Sequence, residues 1–212
     1  MKEILLLLFI ILNGKLFSQN QVRPFIGINV TNTRFHHLDK ISNIDSTGLR
    51  LRNAYLPIFG TDINFDVMKN INLTTGLAVS FMGSNKYNRN IPQGLNIDPH
   101  LRLGYIRLPL NLNIEIINGI KILVGYSLNY NFRKNLNLNI MDENTFEEIE
   151  TYQPFYHTGI LGISKDWEKW RLTINYNKGL SRIFDTKNAS NAYQIYLTMS
   201  GIQIAFGYII KE

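Results

Sequence analysis

The feature that most constrains the fold is a pair of long apolar alternations, Ile106 to Ile116 and Ile120 to Phe132, which meet at Asn118-Gly119. Alternation with a period of two is the signature of a β-strand that has one apolar face. Asn-Gly supplies the positive φ angles that a tight type I′ hairpin needs. Each run is about twice the usual strand length, which is enough to cross a bilayer when the strand is tilted. The stretch therefore predicts a hairpin of membrane-spanning length.

The same alternation predicts six further strands, and the connections between all eight are alternately long and short. The predicted strands are Arg23 to Thr31, Phe59 to Val67, Ile71 to Phe81, Phe155 to Trp167, Trp170 to Asn177 and Tyr193 to Ile210. The long connections are Asn32 to Leu51, Gly83 to His100, Lys134 to Gln153 and Ile183 to Asn191. In the last strand, Ile195, Leu197 and Met199 are out of phase with Ile202 and Ile204, so we expect a β-bulge at Ser200-Gly201.

The two faces of these strands differ in a way that favours a membrane barrel over a soluble one. The large residues share one face, whereas the other face carries mainly Asn, Gly, Ser, Thr and charged residues, which cannot pack a dry core. Outer-membrane barrels have short periplasmic turns, long extracellular loops, an apolar outer face and aromatic girdles at both interfaces. The candidate girdle residues are Phe65, Trp167, Trp170 and Tyr208 near the short turns, and Phe81, Tyr130, Phe132 and Phe155 near the long loops. The sequence predicts an all-β, eight-stranded antiparallel up-and-down transmembrane barrel.

The chain begins with the layout of a secretory signal. A basic start is followed by the apolar run Ile4 to Leu12 and by a small residue at Ser18. We expect residues 1–18 to be a cleaved signal peptide and 19–212 to be the barrel domain, with a retained anchor as the alternative. The chain has no cysteine, and its formal net charge is +6. A mild positive excess suits a surface rich in lipid phosphates, and the absence of a basic run interleaved with aromatic residues argues against nucleic acid as a partner.

An eight-stranded barrel has an interior just wide enough for side chains to fill, so a diffusion pore is not expected. Unpaired charges in so narrow a lumen would be costly, so we expect the inward charges to form cross-barrel pairs, with a proton or ion path as the alternative. The predicted inward charges are Arg23, Asp62, Asp66, Arg107, Glu115, Lys121 and Arg171.

Candidate catalytic and metal-binding groups are sparse. Of the four histidines, His157 is the one within a predicted strand, and its neighbours form no recognisable nucleophile motif. His36-His37 with Asp39 is a weak candidate metal site, and the acidic stretch Asp142 to Glu150 lacks the regular spacing of a calcium loop. The sequence therefore predicts no catalytic, cofactor-binding or metal-binding residue.

The strand around Tyr105-Ile106-Arg107-Leu108-Pro109-Leu110, followed by Val124-Gly125-Tyr126, resembles the PorT-like family of bacterial outer-membrane β-barrel proteins. Its aromatic, apolar, any, apolar, Pro, apolar pattern is matched by Tyr105 to Leu110, and Pro24-Phe25-Ile26-Gly27 and Gly76-Leu77-Ala78 are similar to the first and third strands of that family. The resemblance implies a location in the bacterial outer membrane, insertion by the barrel-assembly machinery and, for some members, a part in protein secretion. It implies no catalytic residue.

These observations lead to one main functional hypothesis and two alternatives. The main hypothesis is a non-enzymatic barrel with a structural or accessory role at the cell surface, in protein secretion or adhesion through its loops. Its expected partners are outer-membrane lipids and lipopolysaccharide, the barrel-assembly machinery during insertion, and secretion-system or surface proteins. The alternatives are an outer-membrane lipid-modifying enzyme and a narrow channel or transporter.

Overall fold

The computed structural model describes residues 21–39, 44–50, 52–85, 101–135, 153–185 and 193–211, and most of them lie in β-strands. Eight strands form the wall of a barrel: β1 (Gln21–Asp39), β3 (Arg52–Met68), β4 (Ile71–Asn85), β5 (Leu101–Ile117), β6 (Ile120–Asn135), β7 (Phe155–Trp167), β8 (Trp170–Gly179) and β10 (Tyr193–Tyr208). Three shorter strands, β2 (Ile44–Arg50), β9 (Phe184–Asp185) and β11 (Ile210–Lys211), pair with β1 or β10. No helix in the described ranges is long and apolar enough to cross a bilayer.

The barrel is closed and entirely antiparallel. Successive wall strands pair with each other, and β1 pairs with both β3 and β10, so that the first and last strands seal the sheet. The predicted eight-stranded up-and-down fold is therefore confirmed.

The short turns are confirmed at the predicted positions. Asn118 and Gly119 have φ values of 42° and 76°, as a type I′ hairpin requires, and Glu168 also has a positive φ of 42°. A turn at Lys69-Asn70 joins β3 to β4. Antiparallel connectivity places these turns at one end of the barrel, which we call the turn end; the other is the long-loop end.

The two faces of the wall are arranged as the alternation predicted. From Ile106 to Ile116 on β5, and at Ile122 and Val124 on β6, the alternating apolar residues are exposed, while their neighbours Asn111, Asn113, Ser127 and Asn129 are buried inside the barrel. The outward apolar residues on five of the strands include Ile26, Ile28, Ile106, Leu110, Ile114, Ile122, Val124, Ile174, Ile202 and Ile204.

The polar stretch Asn32 to Leu51 was predicted to be a loop, and this prediction is wrong for most of its described residues. β1 continues to Asp39, and β2 folds back to pair with it, from Asp39 opposite Ile44 to Arg34 opposite Arg50. Backbone hydrogen bonds to β10 and β2 hold this segment as strand without the help of apolar alternation. Residues 1–20, 86–100 and 136–152, which contain the predicted signal and most of two predicted loops, lie outside the described residues.

The predicted bulge at Ser200-Gly201 is also wrong. Ser200 and Gly201 pair in unbroken register with Asn32 and Thr31 of β1 and with Lys178 and Asn177 of β8. The phase change arises because Leu197 and Met199 face the interior and are buried there, whereas Ile202 and Ile204 face outward. Apolar residues occupy both faces of this strand at different heights.

Inward-facing glycines provide the space for large polar side chains on the neighbouring strand. A Cβ atom placed on Gly162 would lie 2.2 Å from the Asn175 Oδ1 atom and 2.5 Å from the Ile174 carbonyl oxygen. A Cβ atom on Gly125 would likewise lie 2.0 Å from the Asn111 Oδ1 atom, and one on Gly76 would lie 2.8 Å from the Asp62 Oδ1 atom. These glycines are therefore required by packing in a narrow interior and not by backbone angle.

Gly162→Ala is expected to lower the free energy of unfolding by about 1–3 kcal/mol, because the added methyl group overpacks the interior. Gly159→Ala on the same strand is the matched control, since its Cβ atom would meet only the Leu180 side chain, at 3.6 Å or more. The measurement is urea unfolding of both variants in detergent micelles. Equal stability of the two variants would contradict this account of the glycines.

Candidate functional site: the interior of the barrel

The long-loop end of the interior is filled by an apolar cluster, which we call the plug. Tyr105 and Tyr156 form its centre, with ring centroids 5.9 Å apart and no solvent exposure. The members of the plug are Met82, Leu103, Tyr105, Tyr156, Ile183, Leu197 and Met199. The strand alternation predicts a polar interior, so the plug is a departure from that prediction. The strand alternation did contain the signal, because the phase that puts Phe155 outward puts Tyr156 inward.

Tyr156 on β7 contacts both β8 and β10 within the plug. Its hydroxyl group donates a 2.6 Å hydrogen bond to the Met199 carbonyl oxygen on β10, reaching past β8. A Cβ atom on Gly179, the last residue of β8, would lie 2.0 Å from that hydroxyl oxygen. Beyond Gly179 the chain turns inward and buries Ile183, whose backbone N–H bonds to the Leu197 carbonyl oxygen at 2.9 Å.

Tyr156→Phe is expected to cost about 1–2 kcal/mol in the free energy of unfolding, because the buried Met199 carbonyl oxygen loses its hydroxyl donor. Tyr130→Phe is the control, since Tyr130 lies on the outer surface and is 45% exposed. Denaturant unfolding of both variants tests the difference. A loss that is the same in both would show that the interior hydrogen bond contributes nothing specific.

Below the plug, amide and hydroxyl side chains form a polar layer. Asn29 on β1 donates to the Ser80 Oγ atom at 2.9 Å and to the Phe81 carbonyl oxygen at 3.1 Å. Nearer the turn end, Asn113 donates to Thr74 at 2.7 Å, and Thr74 donates to Asn64 at 2.8 Å. The Asn29 contacts join β1 to β4 across the intervening β3, so the layer connects strands whose backbones are not hydrogen-bonded to each other.

Three ion pairs of the described residues lie toward the turn end. Arg23 pairs with Asp62, which is directly opposite it on β3. Asp166 on β7 receives two hydrogen bonds from Arg171, one of them 2.6 Å long, and its Oδ2 atom lies 3.0 Å from the Lys121 Nζ atom. Interior charges do form ion pairs, but the predicted cross-barrel pairing is wrong, because each of these pairs joins neighbouring strands.

Of the three carboxylates predicted to face inward, Asp62 forms an interior ion pair, whereas Asp66 and Glu115 do not. Asp66 is exposed at the turn end, where it accepts a hydrogen bond from Asn72, and Glu115 accepts one from the Gly119 backbone N–H at 3.0 Å. Both serve the turns, because they lie within a few residues of Lys69-Asn70 and Asn118-Gly119. Asp166 was missed, although the alternation of β7 places it on the same inward face as Tyr156.

Among the described residues, the Arg107 side chain crosses the lumen. From β5 its guanidinium donates to the Gln203 Oε1 atom on β10 at 2.7 Å and to the Asn177 Oδ1 atom on β8 at 3.1 Å. It is 3% exposed and borders a small cavity of about 40 Å³. The plug, the polar layer, the ion pairs and Arg107 together fill the interior.

The candidate catalytic histidine lies on the outer wall and not in this interior. The ring of His157 is hydrogen-bonded through Nδ1 to the Tyr126 hydroxyl group. The nearby Ser181 hydroxyl oxygen accepts the His157 backbone N–H at 2.9 Å. No group of three or more His, Asp or Glu residues in the described ranges is placed to hold a metal ion. The side chains of His36, His37 and Asp39, together with His100 and the acidic stretch 142–150, lie outside the described set.

No family model matches the sequence, and no curated protein matches it. Among solved structures, the chain is similar to Ail, the attachment invasion locus protein of Yersinia pestis, with 11% identity, coverage of 91% of this chain and 100% of that one, and a TM-score of 0.37. It is similar to the neisserial surface protein NspA, with 12% identity, coverage of 87% and 96%, and a TM-score of 0.39. It is also similar to the outer membrane protein OprG of Pseudomonas aeruginosa, with 15% identity, coverage of 88% and 95%, and a TM-score of 0.39.

At these identities and TM-scores the likenesses carry no information about activity. The PorT-like resemblance is not confirmed by them and stays an expectation. What the protein can do therefore rests on the geometry of its own wall and interior.

Proposed function

We propose that this protein is a non-enzymatic β-barrel of the bacterial outer membrane that acts at the cell surface through its long-loop end. The observation that carries the proposal is the combination of an outward apolar face on the wall strands with an interior filled by polar and charged groups. In water such a face would be an exposed apolar patch far larger than monomeric soluble proteins show. In a bilayer it is the expected surface.

The height of the apolar band fits an outer membrane. From Ile120 to Tyr130 on β6, a rise of ~3.3 Å per residue and a tilt of ~40° give about 25 Å, the height of the apolar band of known outer-membrane barrels. Aromatic contacts lie at both limits. Trp170 stacks on Phe206 with centroids 4.9 Å apart near the turn end, and Tyr130 packs 5.5 Å from Phe155 toward the long-loop end.

The filled interior favours an anchoring role over a diffusion pore. The plug closes one end, and the Arg107 side chain crosses the middle. The narrow-channel alternative is tested by planar-bilayer recording, in which we expect no unitary conductance from the folded protein. Reproducible conductance steps would favour a channel.

The long-loop end offers a surface built from strands and not only from loops. β1 stays paired with β10 until Asp39 lies opposite Tyr193, and β2 is added on the other edge of β1. From Thr31 to Asp39 this extension rises about 20 Å beyond the apolar band, at ~3.3 Å per residue and ~40° tilt. We call these residues, 32–39, 44–50 and 193–200, the projecting sheet. It is the proposed contact surface for secretion-system or other surface proteins.

The test is to replace residues 36–49 by an Asn-Gly turn and to compare cross-linking in intact cells. The shortened protein is expected to fold and reach the membrane but to lose the surface partner captured by the full-length chain. A matched control replaces Lys69-Asn70 at the opposite end by Asn-Gly and should keep that partner. Unchanged capture by the shortened variant, or the absence of any captured surface protein, would refute a role for the projecting sheet.

The lipid-modifying alternative depends on His157. Deletion of the gene followed by analysis of lipid A and phospholipid acylation should show no change if the barrel is non-enzymatic. A change that the wild-type chain restores and His157→Ala does not would instead support an enzyme.

A further inference from the structure

Buried cations outnumber carboxylates inside the described part of the barrel. The cations are Arg23, Arg107, Lys121 and Arg171, each less than 9% exposed, and the interior carboxylates are Asp62 and Asp166. Asp66 and Glu115 do not offset the difference, because they lie at the turn end, where Asp66 accepts from Asn72 and Glu115 accepts from the Gly119 backbone N–H. Burial of a charge without a counter-charge is strongly unfavourable, so the distribution of partners matters.

The two carboxylates form ion pairs with three of the four cations. Asp62 is bound by Arg23, and Asp166 is shared by Arg171 and Lys121. Arg107 is left with the neutral amide oxygens of Gln203 and Asn177, at 2.7 and 3.1 Å. Its guanidinium carries five N–H groups, so these bonds leave donors over. Among the described residues, no carboxylate forms an ion pair with Arg107.

A cavity lies beside this guanidinium. Its volume of about 40 Å³ exceeds the ~10–15 Å³ that one water molecule needs. The polar groups that border it include Arg23, Asp62, Arg107, Asn111, Asn175 and Gln203. Asp62 would repel an anion, but Arg23 neutralises it, so the charged groups around the cavity sum to one positive charge.

The two asparagines that border the cavity favour an anion as well. The Oδ1 atoms of Asn111 and Asn175 occupy the spaces above Gly125 and Gly162 and are buried without a hydrogen-bond partner. With each amide oxygen turned against a glycine, the Nδ2 group is the part of the amide that remains for the cavity. The asparagine amides therefore add donors to the Arg107 guanidinium at a cavity whose one carboxylate, Asp62, is ion-paired with Arg23.

We propose that this cavity binds a small monovalent inorganic anion of the halide class, which serves as the counter-ion of Arg107. A single positive charge and a volume of this size suit chloride or bromide and exclude a bulky organic anion such as gluconate. The ion would link β5 to β8 and β10 through the guanidinium that already spans the lumen. The binding site does not depend on the proposed role at the cell surface.

The first experiment is urea unfolding of the detergent-folded protein at constant ionic strength, with sodium chloride, sodium bromide or sodium gluconate. Both halides are expected to raise the unfolding midpoint relative to gluconate, with a saturable dependence on concentration. Arg107→Gln should abolish this difference. Lys121→Gln is the matched control, because Lys121 is a buried cation that already has a carboxylate partner, and it should keep the halide effect.

The second experiment does not require any variant to fold. Crystals of the wild-type protein grown with bromide should show an anomalous peak beside the Arg107 guanidinium. Water alone in the cavity would overturn the proposal. Bromide that appears only at soaking concentration without a halide effect on unfolding, or a halide effect that persists in Arg107→Gln, would overturn it too.

Discussion

Asp166→Asn is expected to lower the free energy of unfolding by about 3 kcal/mol. The change keeps the shape of the side chain but removes the one carboxylate that Arg171 and Lys121 share, at 2.6 and 3.0 Å. Two buried cations then lack a counter-charge, and removing one partner of a buried ion pair typically costs 3–5 kcal/mol. We expect the lower value of this range because the Asp166 side chain is 20% exposed to solvent. Urea unfolding followed by tryptophan fluorescence measures the loss.

Glu168→Gln, two residues further along the chain, is the control for this prediction. Glu168 lies exposed in the turn between β7 and β8, so its neutralisation should change stability by less than about 0.5 kcal/mol. An Asp166→Asn variant as stable as Glu168→Gln would show that the buried cations do not depend on Asp166.

Val124→Arg is expected to cost about 2–3 kcal/mol when the protein is folded into lipid vesicles. Val124 is 50% exposed on the outer wall and lies midway between the aromatic groups of the two ends. An arginine at the midplane of the lipid-facing wall is penalised by about 2–4 kcal/mol, and the penalty falls to about 0–1 near the interfaces. The measurement is reversible denaturant unfolding from the vesicles.

Val67→Arg is the matched control for depth. Val67 has nearly the same exposure, 49%, but lies beside the Lys69-Asn70 turn. Arginine there should cost less than about 1 kcal/mol because its side chain reaches the aqueous interface. Similar costs at both positions would mean that the wall has no hydrocarbon midplane at Val124.

The strands, their turns and their faces could be predicted because period-two alternation and turn chemistry are local properties. Asn118-Gly119 specifies its own backbone angles, and Leu110 and Val124 belong to long alternating runs. The prediction of strand ends was wrong where the apolar alternation stops before the strand does. The part of β1 that follows Asn32 remains a strand because β10 and β2 hold it on its two sides, and those partners are distant in sequence or lack a pattern of their own.

The sequence could predict which charged residues face the interior, but not which of them form ion pairs with each other. The alternation placed Arg23, Asp62, Arg107, Lys121 and Arg171 inside, which the structure confirms. The carboxylate that pairs with each cation is determined by strand register and tilt. These properties depend on how strands pair, so the sequence of one strand does not reveal them. The plug was missed for a related reason. A rule of apolar outside and polar inside assigns Leu197 and Met199 to the wrong face, since apolar packing is also stable within a closed end.

The apolar face of the wall is expected to contact hydrocarbon, and site-directed spin labelling tests this contact most directly. The chain has no cysteine, so single cysteines at Leu110, Ile174 and, as an aqueous reference, Glu168 can be labelled specifically. In lipid vesicles, labels at 110 and 174 are predicted to collide often with oxygen and rarely with a water-soluble nickel complex, with the reverse at 168. Free access of the nickel complex to the labels at 110 and 174 in the folded protein would contradict the central claim.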